Sequence, residues 1–112
     1  MHVVISHSSA LLFLDQCARL VPSPAFREPA RAFDGPVEAW ARTKPELKAF
    51  HLDRFMRMGR DADILVPTFR QNKRVAGYAH HAAGGKLPEG SLLDAGGGVL
   101  VCSAPLVFVQ LC

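Results

Sequence analysis

The chain has no long hydrophobic run, few cysteines and no spaced metal-binding pattern. None of its apolar stretches approaches the ~18–20 residues that cross a bilayer. The opening residues, MHVVISHSS, lack the basic region, long apolar stretch and small-residue cleavage site of a secretory leader. A cytoplasmic protein is expected. Its three cysteines, Cys17, Cys102 and Cys112, are odd in number, widely spaced and set among apolar residues. They read as reduced, buried thiols rather than as a disulfide framework or a zinc knuckle. Charge of either sign is not in great excess: 13 Lys and Arg against 10 Asp and Glu leave a net +3. That balance permits attraction to a polyanion without demanding it.

What remains is the composition of a folded protein. With 112 residues, 49% hydrophobic and 21% charged, the chain suits one core and one domain, residues 1–112. HVVIS predicts a short strand and HSSALLFLDQCARL a following helix, with Ser8 or Ser9 as its cap and Leu11, Leu12, Leu14 and Cys17 on its apolar face. Residues 22–44 read as a Pro-rich insertion or loop, because the prolines of VPSPAFREPARAFDGP fit no regular element. Within it VEAWARTK is a weak helical candidate.

PELKAFHLDRFMRMG predicts the longest helix, with Pro45 in the first turn, Leu47, Phe50, Phe55 and Met58 on one face, and Gly59 as the C-terminal cap. DILVPTF and RVAGYAHH, separated by the polar RQNK, read as an antiparallel hairpin. SLLDA is a brief strand candidate, Gly96-Gly97-Gly98 a hairpin turn and VLVC the last strand. Ser103 then caps a terminal helix, SAPLVFVQLC, with Pro105 in its first turn. Both ends of the chain show a strand, a serine and an apolar helix running to a cysteine. The expected fold is α+β: a small antiparallel or mixed sheet of about four strands with helices packed on one side.

Two stretches carry a family resemblance. VISHSSALLFL is similar to the strand-to-helix SH-x-SAL opening of AbiEi-like antitoxins from type IV, abortive-infection toxin–antitoxin systems. LPEGSLLDAGGGVLVCSAPLVFVQLC resembles the closing segment of that family, with ADILVPTFRQNKRVAGYAHH in the position between them. The resemblance runs from about Val3 to Cys112, with Pro22 to Gly59 lacking a counterpart, and the family's usual Ser-Pro pair is Ser103-Ala104-Pro105 here. It implies the central domain of such a protein without the winged-helix or endonuclease-like flanks, whether as a short natural form, a truncated frame or an excised fragment.

Catalytic patterns are missing. Restriction-like nucleases hold Mg²⁺ with an Asp and a Glu-x-Lys on adjacent strands, and no Glu-x-Lys follows Asp61 and Asp63. Those two aspartates are expected to start a strand or cap a turn. His80 and His81 would point to opposite faces of a strand, His2 and His7 lack ligand spacing, and His7 is expected at the helix start, bonded to backbone. Cys102 and Ser103 lie between a strand and a helix without the glycines of a nucleophile elbow. No catalytic residue, metal or cofactor is expected.

Two features point to partners. Arg54, Arg57 and Arg60 recur at helical i+3 spacing, extended by Lys48 and His51, and Arg70, Lys73 and Arg74 follow in a loop. If the groups share a surface they form a phosphate-binding stripe; otherwise they are a solvated face partly neutralised by Asp53, Asp61 and Asp63. On the terminal helix, Leu106, Val107, Phe108, Val109 and Leu111 leave only Gln110 polar. A helix apolar on every side must be buried, so these residues are the expected interface with a second copy or another protein. The functional expectation is a non-enzymatic, antitoxin-like regulator or interaction module. Its alternative is an inert accessory or remnant subunit of an endonuclease-like system.

Overall fold

A computed structural model describes residues 1–18, 31–33, 37, 39–41, 43–50, 52, 61–67, 75–83, 87 and 90–111. Along the chain these form β1 (Val3–Ile5), α1 (His7–Ala18), β2 (Arg31–Ala32), α2 (Lys44–Lys48), β3 (Ala62–Val66), β4 (Tyr78–Ala82), β5 (Leu92–Gly96), β6 (Val99–Cys102) and α3 (Ala104–Leu111). The class is α+β, with a mixed sheet ordered β2-β5-β6-β1-β3-β4. Five strands of three to five residues form its body, and the two-residue β2 closes one edge.

The centre of the sheet is β1 beside β6, parallel and in register from Val3 with Val99 to Ile5 with Val101. Side chains alternate across a strand. Val4, Leu65 and Leu100 therefore share one face, while Ile5, Ile64 and Val101 share the other. All six are buried. Burial on both faces explains why VVI and VLVC are unbroken apolar runs rather than alternating ones. Ala41, Leu47 and Leu52, from the segment between β2 and β3, join the same core. α1 and α3 lie together on the face that carries Leu100 and Cys102, where Gln110 Nε2 donates to Cys102 Sγ at 3.6 Å.

The expected hairpin of β3 and β4 is corrected: the two strands run parallel, Ala62 opposite Tyr78 through Val66 opposite Ala82. A two-residue turn can join only antiparallel strands, and a parallel pair needs about a dozen connecting residues. β4 begins at Tyr78 rather than near Arg74, which leaves residues 67–77, eleven in all, for the crossover. The Pro-rich stretch also contributes a strand, β2, whose Arg31 and Ala32 pair with Asp94 and Leu93. VEAWARTK is not helical at Val37 or from Ala39 to Ala41, and its last residue, Lys44, opens α2. Its Trp40 bridges His2 in parallel, with the His2 N–H donating to Ala39 O and the Ala41 N–H to His2 O, each at 2.7 Å.

The helix expected from Pro45 starts as predicted. Thr43 and Glu46 form a reciprocal capping box, and Pro45 occupies the first turn. Its regular part ends at Lys48, and Ala49 and Phe50 form a turn; Phe55, Met58 and Gly59 lie outside the described residues. The Gly96–Gly98 turn is a hairpin joining β5 to β6, with φ of +86°, +62° and +82°. Gly98 has no room for a side chain, since a Cβ there would stand 2.9 Å from the Met1 carbonyl oxygen and 3.0 Å from the Phe50 ring. No helix among the described residues is long and apolar enough to cross a membrane.

Candidate functional site

A polar cluster sits where β1 gives way to α1. The Ser6 carbonyl accepts from the Ala10 N–H at 3.0 Å, so the helix closes its first turn on Ser6, and neither Ser8 nor Ser9 is the cap. Ser9 instead faces β3. Its N–H and hydroxyl both donate to Asp63 Oδ2, at 3.2 and 3.0 Å, and its oxygen accepts from the Asp63 N–H at 2.7 Å. Asp63 thus caps α1 from fifty-four positions away in sequence, which replaces the expected local role. A carboxylate here meets free amides and the positive end of the helix dipole.

His81 of β4 completes the cluster. It stands opposite Leu65 in the sheet, two positions from Asp63 on the same face, and its Nε2 meets Asp63 Oδ1 at 2.9 Å. The His7 ring stacks on His81 with centroids 3.8 Å apart and planes 19° from parallel. His7 Nδ1 meets Ser6 Oγ at 2.9 Å, a side-chain partner rather than the backbone expected. From α3, Gln110 Oε1 accepts the His7 N–H at 2.9 Å. These contacts hold His7 at φ +51°, a left-handed conformation costing on the order of 1–3 kcal/mol in a non-glycine residue.

Electrostatics follow from this geometry. Burial opposes ionisation of Asp63, but hydrogen bonds from His81 and Ser9 outweigh it and hold the carboxyl below its ordinary value. Burial and then the neighbouring His81 lower His7, against the opposing pull of Asp63. Cys102 is a buried free thiol pushed up to about 11 by desolvation, despite the Gln110 donor. It is poorly suited to attack, since the thiolate is the nucleophile.

Serine, histidine and aspartate gathered in one place invite a hydrolytic reading, and the contacts oppose it. A nucleophile–base–orienter relay needs the imidazole between hydroxyl and carboxylate. Here Asp63 stands between Ser9 and His81, the histidines stack rather than exchange a proton, and both Ser6 and Ser9 are sealed from solvent. The chain's one Glu-x-Lys triplet, Glu46-Leu47-Lys48, is in α2, where Glu46 serves the capping box and Leu47 is buried. Among the described residues, no group of three His, Cys, Asp or Glu side chains is placed to hold a metal ion. The cluster works as a staple fastening α1 and α3 to the sheet.

α3 presents the other notable surface. Val107 is fully buried and Leu106 packs against the core, whereas Phe108 is 73%, Val109 68% and Leu111 50% exposed. As expected of so small a domain, the protomer does not enclose this helix: eight residues lying on α1 hide one stripe only. Val107 consequently belongs to the protomer's own core and not to an interface. Of the basic residues, Arg54, Arg57, Arg60, Arg70, Lys73 and Arg74 lie outside the described residues. Their neighbours do meet: Lys44 and Lys48 of α2 line a concavity of about 340 Å³ together with Val75, the residue after Arg74, and Tyr78.

Compared with models of protein families, with curated proteins and with solved structures, the chain matches none. Functional inference therefore rests on these two surfaces and on the motifs they contain. Ser6, His7 and Ser9 belong to the SH-x-SAL motif, whereas Asp63, His81 and Gln110 stood out in the sequence only for local reasons, and nothing there indicated that they meet.

Proposed function

We propose that this chain is a non-enzymatic, antitoxin-like regulator or interaction module that acts by protein contact through the outer side of α3. The exposure of Phe108, Val109 and Leu111 on one short helix carries this reading, because apolar side chains projecting together from a small domain mark interaction sites. The simplest occupant is a second copy of the chain. Residues 104–111, APLVFVQL, contain no charged side chain, so two such helices can meet about a twofold axis without like-charge repulsion.

Nucleic-acid contact through Arg54, Arg57, Arg60, Arg70, Lys73 and Arg74 is a secondary part of the proposal. Lys44, Lys48 and Val75 in one concavity support it by bringing the ends of the two basic segments near each other. That role rests on the spacing of the basic residues, and the antitoxin class on the resemblance of the SH-x-SAL and closing motifs. The sealed serines and the high thiol favour a binding module over an enzyme. An accessory subunit of an endonuclease-like system is the alternative, favoured by the same apolar helix if its occupant is a different protein.

Solution mass by light scattering decides the central point. A dimer that dissociates on Phe108→Glu supports self-association through α3. A monomer at every concentration ends that reading, and co-purification of a nuclease subunit selects the alternative. Salt-dependent duplex binding that disappears in a combined Arg70→Ala, Lys73→Ala, Arg74→Ala chain would support the basic stripe.

A further inference from the structure

His7 links α3 to two other parts of the fold. Its backbone N–H holds Gln110 of α3, its ring stacks on His81 of β4, and Nδ1 meets Ser6 at the end of β1. The left-handed backbone at His7 is stable only while these neighbours hold it. Two neutral imidazoles stack well, but two protonated ones 3.8 Å apart repel. A charged His7 ring would also face the positive end of α1.

We infer that His7 and His81 form a proton-sensitive latch between α1 and α3. With the His7 ring neutral, the stack keeps His7 in its left-handed conformation and Gln110 bonded to it. Protonation of His7 parts the rings, lets its backbone relax and releases Gln110, so that α3 shifts against α1. The inference rests on the reading of α3 as a contact surface only for its consequence, which is that acidification would rearrange that surface.

The groups around His7 define the switch. β3 presents Asp63, whose Oδ1 is engaged by His81 and Oδ2 by Ser9. β4 presents His81, and α3 presents the uncharged Gln110, behind which lies the neutral Cys102 thiol of β6. Burial and His81 together outweigh Asp63 and depress the His7 imidazole from 6.5. The neutral, latched form therefore prevails above that pH, and the latch opens as pH falls through the lower folded value.

Heteronuclear NMR of the whole chain from pH 7.5 to 5 tests this directly. The His7 ring and the Gln110 side-chain amide should titrate together, with a common midpoint below 6.5. In His81→Phe, which keeps a ring to stack but removes the second charge, that midpoint should rise by about half a pH unit or more, within the spread seen for folded-protein histidines. His7→Asn, which tolerates the left-handed backbone but carries no proton, should leave Gln110 unchanged across the range. Gln110 resonances that stay fixed while His7 titrates overturn the latch, as does a Gln110 titration that persists in His7→Asn. Solution mass over the same pH range reports separately on the contact surface: the latch stands or falls on Gln110 whatever the mass does.

Discussion

The two β-α units at the ends of the chain are near-copies in outline and opposites in finish. β1 and β6 are parallel neighbours, each is followed by a serine, and α1 and α3 lie side by side on one face. α1 is anchored by Ala10 and Phe13 in the core, by Asp63 at its first turn and by Gln110 beside it. α3 has one fully buried side chain, Val107, and one polar tether, Gln110, and leaves three large apolar residues in water. Similar local patterns thus yield an integrated helix in one place and an available surface in the other. What separates them is which long-range partners reach each helix.

The largest expected effect contrasts the two helices directly. Phe13→Ala removes a buried aromatic and should lower unfolding stability by about 3–5 kcal/mol in denaturant titration. Val109→Ala, at an exposed position, should change it by no more than about 0.5 kcal/mol. Equal losses would mean that α3 is as much a part of the core as α1.

Next in size is the cap from β3. Asp63→Ala deprives the Ser9 amide, the Ser9 hydroxyl and His81 of their acceptor, for a cost of about 1–3 kcal/mol. The same carboxyl governs the acid limb. Its folded proton affinity is depressed, so its stabilisation is present above about pH 3.8 and is lost as pH falls through the lower folded value. His7 adds an earlier loss that begins below pH 6.5, since its folded value is also depressed. Thermal melts between pH 7.5 and 3 should show both declines in the parent chain, and in Asp63→Ala the His7 decline with the acid limb reduced.

The smallest expected effect on stability sharpens the comparison most. Phe108→Glu should leave the melting temperature nearly unchanged, because the side chain is already in water. A large loss of stability at dilute concentration would show that the protomer itself needs this residue. Circular dichroism at low concentration separates the two outcomes.

Elements whose signals are local were legible in the sequence. The unbroken apolar runs VVI and VLVC, the helix start at Pro45 and the triple-glycine hairpin all fell where their chemistry indicated. The partner of β3 was not legible, because a polar loop between two strands reads the same whether the second strand turns back or crosses over. Arg31–Ala32 was hidden by surrounding prolines, which forbid a long strand but not a two-residue pairing at a sheet edge. The staple escaped notice for a related reason. Ser9 and Asp63 are local cap candidates by type, and only the tertiary fold shows that each serves the other. The surplus of apolar sides on the terminal helix was legible from composition, but composition could not say which side the rest of the chain covers, the one that carries Val107.

The pairing of β1 with β6 has a consequence for how the molecule is made. Its innermost strand contact joins Val3 to Val99, so everything from β1 through β6 must be synthesised before the middle of the sheet can close. Such non-local pairing slows folding and leaves the β6-facing edge of the first strand waiting on the ribosome even after β3 has been made. Nascent chains of this protein should therefore depend on chaperone shelter until β6 emerges.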